Sequence, residues 1–408
     1  MNVYLSHNHQ KIKRTIAISG SKSESNRLLI LQQLVDGLLI ENISDSDDTN
    51  HLQHALLTKD PRIDIGHAGT AMRFLTAYFS AIKGREVVLT GSERMQNRPI
   101  ELIVNALNDL GADISYESKI GYPPIRIKGR ELKGNNVEIY GNVSSQYISA
   151  LMLIAPSLPK GLEINLVGEI TSVPYIKMTL ELLNALKIET QFKENKIVVN
   201  PLVGAVEKKV VVESDWSSAS YFYSIIALGK IGDEVSLTSY KKESLQGDSC
   251  LSEIYQHFGV ATSFQEHTIL LKKVKEHNSS SLKLDLRNAP DIAQTIAVTC
   301  FGLKVHCVLT GLHTLKIKET DRLLALQNEL SKLGAKISIT KDSLTLEKHT
   351  KINSKIAIET YNDHRMAMAF TPLALVQPLT IIDATVVSKS YKNFWNDMQC
   401  VGFQIEEV

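Results

Sequence analysis

The chain has 408 residues, 43% of them hydrophobic and 22% charged, which is the make-up of a globular protein with material for two cores. Lys+Arg 45 against Asp+Glu 44 leaves a net charge of +1, which argues against a basic surface for nucleic acid or an anionic membrane. Any cationic site must therefore be local.

From the N-terminus, Thr15-Ile16-Ala17-Ile18 predicts a strand, Ser19-Gly20 a turn, and Ser23 onward a helix running to Leu34. That helix start carries Lys22 and Arg27 near the positive end of its dipole, with the Ser23 and Ser25 hydroxyls beside them. Two cations there are unfavourable unless an anion joins them, which is the pattern of a phosphate or carboxylate site. A Ser-rich N-cap with two solvated charges is the plainer alternative.

Further along, a polar start followed by an apolar helical run recurs at Gly69 to Phe79, Ser144 to Ile154, Ser217 to Leu228, Pro290 to Cys300 and His364 to Leu375. These starts come roughly every 70-odd residues, a period that asks for a repeat architecture. Each run leads into a short strand rich in Val, Ile and Leu: Leu38 to Ile43, Val87 to Thr90, Leu162 to Val167, Val235 to Thr238, Val305 to Thr310 and Leu379 to Ile382. Second, amphipathic helices follow at Pro99 to Leu110, Tyr175 to Leu186, Asp321 to Leu333 and Tyr391 to Val401. Gly111, Gly259 and Gly334 read as left-handed caps after such helices, and Lys187 replaces the glycine in a fourth case. The pattern predicts six βαβαββ-like units, the first of them short. Apolar helices between short, half-polar strands suit an α/β fold with helices inside and sheets facing solvent. Two domains of three units are expected, 1–20 with 214–408 and 21–213, with a crossing near Glu213-Ser214-Asp215 and an active site in the cleft between them. If the N-terminal strand completes the sheet of the last units, two segments link the domains, as suits a hinge.

Unusual residues sit at equivalent ends of the units: Lys22 and Arg27, Arg73, Arg94 and Arg98, Ser144-Ser145-Gln146, Ser172, Asp291, Lys318-Glu319 with Arg322, Asp363-His364-Arg365, and Lys389. Helix N-termini from both domains are expected to converge there and attract small ligands with several negative charges. Each residue also has a local reading: Asp291 as a helix cap, Glu319 and Arg322 as a solvated i,i+3 pair, Ser144-Ser145 as an N-cap, Arg73 and His364 as structural groups, and Met366 and Met368 as core. Cys250, Cys300, Cys307 and Cys400 lack CxxC spacing and read as reduced thiols. His51 with His54, or His7 with His9, has no third ligand at motif spacing, so no metal is expected. Nothing resembles a signal peptide or a bilayer-spanning run, and a cytoplasmic location is expected.

Ser19-Gly20-Ser21-Lys22-Ser23 with Asn26-Arg27, Ala68-Gly69-Thr70-Ala71-Met72-Arg73, Arg98-Pro99-Ile100, Ser144-Ser145-Gln146-Tyr147, Lys318-Glu319-Thr320-Asp321-Arg322 and Asp363-His364-Arg365-Met366-Ala367-Met368 together resemble the EPSP synthase (3-phosphoshikimate 1-carboxyvinyltransferase) family, in family order over almost the whole chain. The resemblance implies two inside-out α/β domains of three βαβαββ units each. It implies transfer of the enolpyruvyl group of phosphoenolpyruvate to the 5-hydroxyl of shikimate 3-phosphate, with no cofactor, and inhibition by glyphosate. A monomer with these two small-molecule substrates as partners, and neither nucleic acid nor membrane, is expected.

By the same resemblance, Lys22 bridges both substrates, and Ser23 and Arg27 bind the shikimate part. Ser144, Ser145, Ser172 and Lys318 hold its 3-phosphate, Gln146 lies beside both ligands, and Gly69, Arg98, Arg322, Arg365 and Lys389 hold phosphoenolpyruvate. Asp291 is the implied base toward the 5-hydroxyl and Glu319 the acid for C3, with Lys22 completing the catalytic set. The chain departs from the family pattern at His67 and Thr314, where asparagine is usual, and at Phe74, where proline is common, which bears on affinity rather than reaction class. Two rivals are UDP-N-acetylglucosamine 1-carboxyvinyltransferase and a non-catalytic anion-binding scaffold of the same fold. The first differs in its opening motif and loop cysteine or aspartate, and the second has no use for Asp291 and Glu319 among cations.

Overall fold

The computed structural model describes residues 1–142, 144–171, 173–278 and 280–408. The chain divides into two compact units, Gly20–Val212 and Met1–Ser19 with Glu213–Val408.

In the Gly20–Val212 unit, helices Lys22–Leu34, Gly69–Ala81 and Ser145–Ile154 pack on one another. Gly69–Ala81 shows why they lie inside: every residue from Gly69 to Ser80 is buried, and a helix apolar all round has no face to offer solvent. Two of its hydroxyls are satisfied within the helix, Thr76 Oγ1 donating to Met72 O at 2.6 Å and Ser80 Oγ to Thr76 O at 2.6 Å. Around the helices lie a four-stranded sheet in the order Arg62–Asp64, Glu86–Thr90, Ile125–Lys128, Asp113–Tyr116, and a second in the order Asn136–Tyr140, Leu162–Val167, Lys196–Val199, Thr190–Lys193. In each, the first two strands are parallel and the others antiparallel. Leu162, Ile164 and Leu166 are buried while their neighbours are partly exposed, so the sheet turns one face to the helices. The short first copy has only Leu38–Glu41 paired in parallel with Lys208–Val211.

The other unit repeats the scheme around helices Trp216–Leu228, Ala293–Gly302 and His364–Phe370. Its sheets run Lys13–Ile16, Glu234–Thr238, Thr268–Lys273, Val260–Gln265; then Ser281–Asp285, His306–Thr310, Leu344–Leu346, Ile337–Ile339; then Ala357–Ile358, Leu379–Ile381, Val3–His7, Phe403–Glu407. The N-terminal strand Val3–His7 fills the third place of the last sheet, antiparallel to both neighbours. A continuous core from Val3 to Phe403 fills the unit.

The expected helices and strands are present with ends shifted by a few residues, some longer, as Gly69–Ala81 and Glu234–Thr238, and some shorter. The strand expected over Thr15 to Ile18 spans Lys13–Ile16, because Ile18 O and Ser19 O turn to accept from Ser214 Oγ and Asp215 N. The helix expected over Tyr391 to Val401 is only Phe394–Cys400. Tyr391 stands before it, its OH donating to Asp397 Oδ2 at 2.7 Å. Gly111, Gly259 and Gly334 have φ of 98°, 78° and 100°, and Lys187 takes the same left-handed region at 62°. No helix among the described residues is long and apolar enough to cross a membrane.

Candidate functional site

In the Gly20–Val212 unit, the helix starts bring the expected residues to the ends of three buried helices. Lys22 opens its helix and donates to Asp48 Oδ2 at 3.1 Å. Asp48 lies in the first turn of the next helix, Asp47–Leu57. The anion that the Lys22 charge calls for is thus partly supplied by the chain itself. Arg27 faces inward from the first helix and is 2% exposed. Its Nη1 donates to Ser23 O at 2.7 Å, its Nε to Thr179 Oγ1 at 2.8 Å and its Nη2 to Ser149 Oγ at 2.9 Å. The guanidinium lies over the rings of Phe74 and Tyr175. Burial lowers its pKa to about 10, against the Tyr175 and Glu24 charges, so the group remains a cation with no ion pair among the described residues.

Gly69 begins the second helix. A Cβ added there would stand 2.5 Å from Arg98 Nη1 and 3.0 Å from Arg98 Cζ, so the Arg98 guanidinium lies against the glycine and needs its missing side chain. Gln146 Nε2 donates to Thr70 Oγ1 at 3.1 Å, tying the third helix to the second. Ser144 is the N-cap of the third helix and accepts from Gln146 N at 3.4 Å, so the capping reading of that residue holds. Ser145 is buried in its first turn. Ser172 lies outside the described residues. His67 Nδ1 is 2.8 Å from Ser92 Oγ.

In the other unit, one guanidinium organises the site. Arg322, 2% exposed at the start of helix Arg322–Lys332, reaches three carboxylates. Its Nε donates to Asp363 Oδ2 at 2.7 Å, its Nη1 to Asp291 Oδ1 at 2.9 Å and its Nη2 to Glu319 Oε2 at 2.7 Å. Lys389 Nζ donates to Glu319 Oε1 at 2.8 Å. Lys318 Nζ lies 3.5 Å from Asp291 Oδ1, and Arg365 Nη2 lies 3.3 Å from Asp291 Oδ2. The structure therefore brings together Asp291, Lys318, Glu319, Arg322, Arg365 and Lys389, all named from sequence.

Asp291 sits in the 3-10 turn Pro290–Ile292 and makes no cap, and the Glu319–Arg322 pair is buried rather than solvated. His364 is buried, its Nδ1 3.6 Å from Asp363 Oδ1, and Met366 and Met368 are core. Burial pushes Asp291 up, but Arg365, Lys318 and Arg322 outweigh it and hold the carboxyl well below the usual range. Burial works against the Arg322 charge too, and Asp363, Glu319 and Asp291 reverse that and raise its pKa. Asp248 behaves oppositely: burial, then Asp291, push it up to about 7 against Arg365. It accepts a short hydrogen bond from Ser217 Oγ, which in turn accepts from Arg365 Nη2 at 3.3 Å.

Sequence reasoning did not single out Asp48, Ser217, Asp248, Ser149 or Thr179. Asp48 has a local signal in the Ser46 N-cap followed by Asp47-Asp48, and Ser217 has one in its place at the start of a recurring helical run. Among the described residues, no group of three or more His, Cys, Asp or Glu could hold a metal. The chemistry on offer is anion binding by fixed cations with two carboxylates among them to move protons.

A family model described as EPSP synthase (3-phosphoshikimate 1-carboxyvinyltransferase) matches residues 52–398. A 3-phosphoshikimate 1-carboxyvinyltransferase of Bacteroides fragilis is 46% identical over 408 residues, covering 99% of this chain and 98% of that protein. One from Haemophilus influenzae is 36% identical over 428 residues, covering 95% and 96%. Among solved structures, the EPSP synthase from Acinetobacter baumannii matches with a TM-score of 0.81 at 21% identity, covering 100% of both chains. The enolpyruvyl transferase NikO from Streptomyces tendae matches at 0.75 and 12% identity, covering 100% and 99%. At these identities the two structures speak to the fold.

Proposed function

The chain belongs to the EPSP synthase family, and from that premise we propose that it transfers the enolpyruvyl group of phosphoenolpyruvate to the 5-hydroxyl of shikimate 3-phosphate, releasing phosphate, as a cytoplasmic step toward aromatic amino acids and chorismate. Both substrates are phosphorylated carboxylates. Their charge asks for fixed cations, and the addition and elimination ask for a base and an acid.

The observation that carries the reading is that a single guanidinium, Arg322, contacts both Asp291 and Glu319. Asp291, kept ionised by its neighbours, takes the proton of the 5-hydroxyl as its oxygen bonds to C2 of phosphoenolpyruvate. Glu319 delivers a proton to C3. In the second half Glu319 recovers that proton as the C2–O bond to phosphate breaks. Arg322, Arg365 and Lys389, with Gly69 and Arg98, are assigned to phosphoenolpyruvate. Ser144, Ser145, Ser172 and Lys318 are assigned to the 3-phosphate, Ser23 and Arg27 to the shikimate part, and Lys22 and Gln146 to both. Arg27 has its donors engaged by neutral oxygens, so its part is chiefly that of a buried positive charge. Glu319 can carry a proton only when substrate anions take over Lys389 and Arg322, which orders binding before chemistry.

Phosphate release by the whole protein tests the reading. Release is expected only with shikimate 3-phosphate and phosphoenolpyruvate together. Release with UDP-N-acetylglucosamine and phosphoenolpyruvate would transfer the assignment to the sister activity, and no release with either acceptor would leave an anion-binding scaffold.

A further inference from the structure

Two side chains that the proposed reaction does not use converge beside Arg98. Arg73 is a buried cation on helix Gly69–Ala81 and makes no ion pair among the described residues. Its Nη1 donates to Gly69 O at 3.0 Å and lies 3.9 Å from Met95 Sδ, and its Nη2 donates to Pro99 O at 3.2 Å. Tyr147 OH donates to the same Pro99 carbonyl at 2.7 Å. The Tyr147 ring also faces Arg73, whose Cζ stands 5.6 Å from the ring centroid.

Arg98 therefore sits between two groups that Arg73 touches. Its own N–H donates to Met95 O at 3.0 Å on one side, and Pro99, whose ring restricts the backbone, follows on the other. Its guanidinium lies against Gly69, the residue whose carbonyl Arg73 also holds. A buried arginine answered by carbonyls and a ring is costly to keep as a mere filler. Spanning Gly69 O and Pro99 O needs the planar fork that lysine lacks.

We infer that Arg73 and Tyr147 are a positioning pair that, through the Pro99 carbonyl, fixes the direction in which Arg98 presents its guanidinium to phosphoenolpyruvate. The inference rests on the reading above that Arg98 binds that substrate. It gives the two residues a substrate-specific effect, which bulk packing would not.

Steady-state kinetics on the whole protein, with each substrate varied in turn, test it. Tyr147→Phe keeps the ring under Arg73 and removes one of two donors to Pro99 O. It is expected to raise KM for phosphoenolpyruvate about three- to tenfold, the worth of one ordinary hydrogen bond. The KM for shikimate 3-phosphate and kcat should stay within about twofold. Arg73→Lys is expected to act in the same direction and more strongly, and the double variant to fall short of the product of the two effects, since both act through one carbonyl. An unchanged phosphoenolpyruvate KM in Tyr147→Phe, or equal rises in both KM values, would overturn the inference even if Arg73→Lys failed to fold. Absence of turnover in the unaltered protein would instead sink the functional reading, so the two failures are distinguishable.

Discussion

Asp363 Oδ2 stands 2.7 Å from Arg322 Nε with both side chains shut off from solvent, while Asp363 Oδ1 accepts from Arg365 N at 2.9 Å. One carboxylate thus holds the central guanidinium and caps the helix that carries Arg365. Asp363→Asn should cost about 2–4 kcal/mol of stability, near the ~3–5 kcal/mol typical of a broken buried pair but eased because Asp291 and Glu319 remain. Urea unfolding measures it. A loss below about 0.5 kcal/mol would mean the pair contributes nothing beyond a surface contact.

Glu319 holds each carboxylate oxygen against a different cation, Arg322 and Lys389. Glu319→Gln keeps the shape but cannot give and recover a proton. The expected result is a fall in kcat of about 10²–10⁴-fold with folding retained, the usual worth of a positioned acid or base. Near-normal turnover would remove Glu319 from the chemistry.

The repeat is legible because most copies mark burial twice, in a largely apolar helix and in strands that alternate, while the first copy, Lys22–Leu34 with Gln32 and Gln33, marks it weakly. The place of the N-terminal strand is conditional on sequence alone: alternation in Val3–His7 marks a buried face, whereas its position between Leu379–Ile381 and Phe403–Glu407 depends on residues at the far end of the chain. At the candidate site the charged residues could be named from sequence, and their partners could not. Arg27 is satisfied by Ser149 and Thr179, far away along the chain and ordinary helix residues when seen locally. Local rules alone make Asp291 a cap and Glu319 a solvated partner because they have no knowledge of burial. Lys187 shows the same limit at a turn: the left-handed cap was inferred from glycines, and the position keeps that backbone with a lysine in it.

Asp248 should make stability depend on pH near neutrality. Burial and Asp291 push it up to about 7, whereas in the unfolded chain it titrates near the ordinary value of about 4. The folded state then holds the proton more tightly. Its contribution is fully present at low pH and is lost as pH rises from about 4 through about 7, with a ceiling of roughly 4 kcal/mol. Asp291 has the opposite sign, but its lowered pKa acts only below about pH 4. The melting temperature of the protein is expected to fall more between pH 5 and pH 8, working values set about the ~4–7 window, than that of Asp248→Asn. Parallel falls in both would show that Asp248 is ionised throughout.

Gly69→Ala places a methyl where the Arg98 guanidinium now lies, 2.5 Å from Nη1. The obstructing atoms are the end of a flexible side chain, so the protein should fold while Arg98 swings aside. Phosphoenolpyruvate should bind more weakly, with KM raised about two- to tenfold, the cost of a displaced but not deleted charge contact. Glyphosate, the longer phosphonate expected to compete with it, should lose more, because the methyl narrows the space beside Arg98 as well as moving it. Inhibition curves for the two forms, taken at phosphoenolpyruvate concentrations scaled to each KM, separate the two effects. Full inhibition of Gly69→Ala at the concentration that stops the unaltered protein would refute the steric part of the argument.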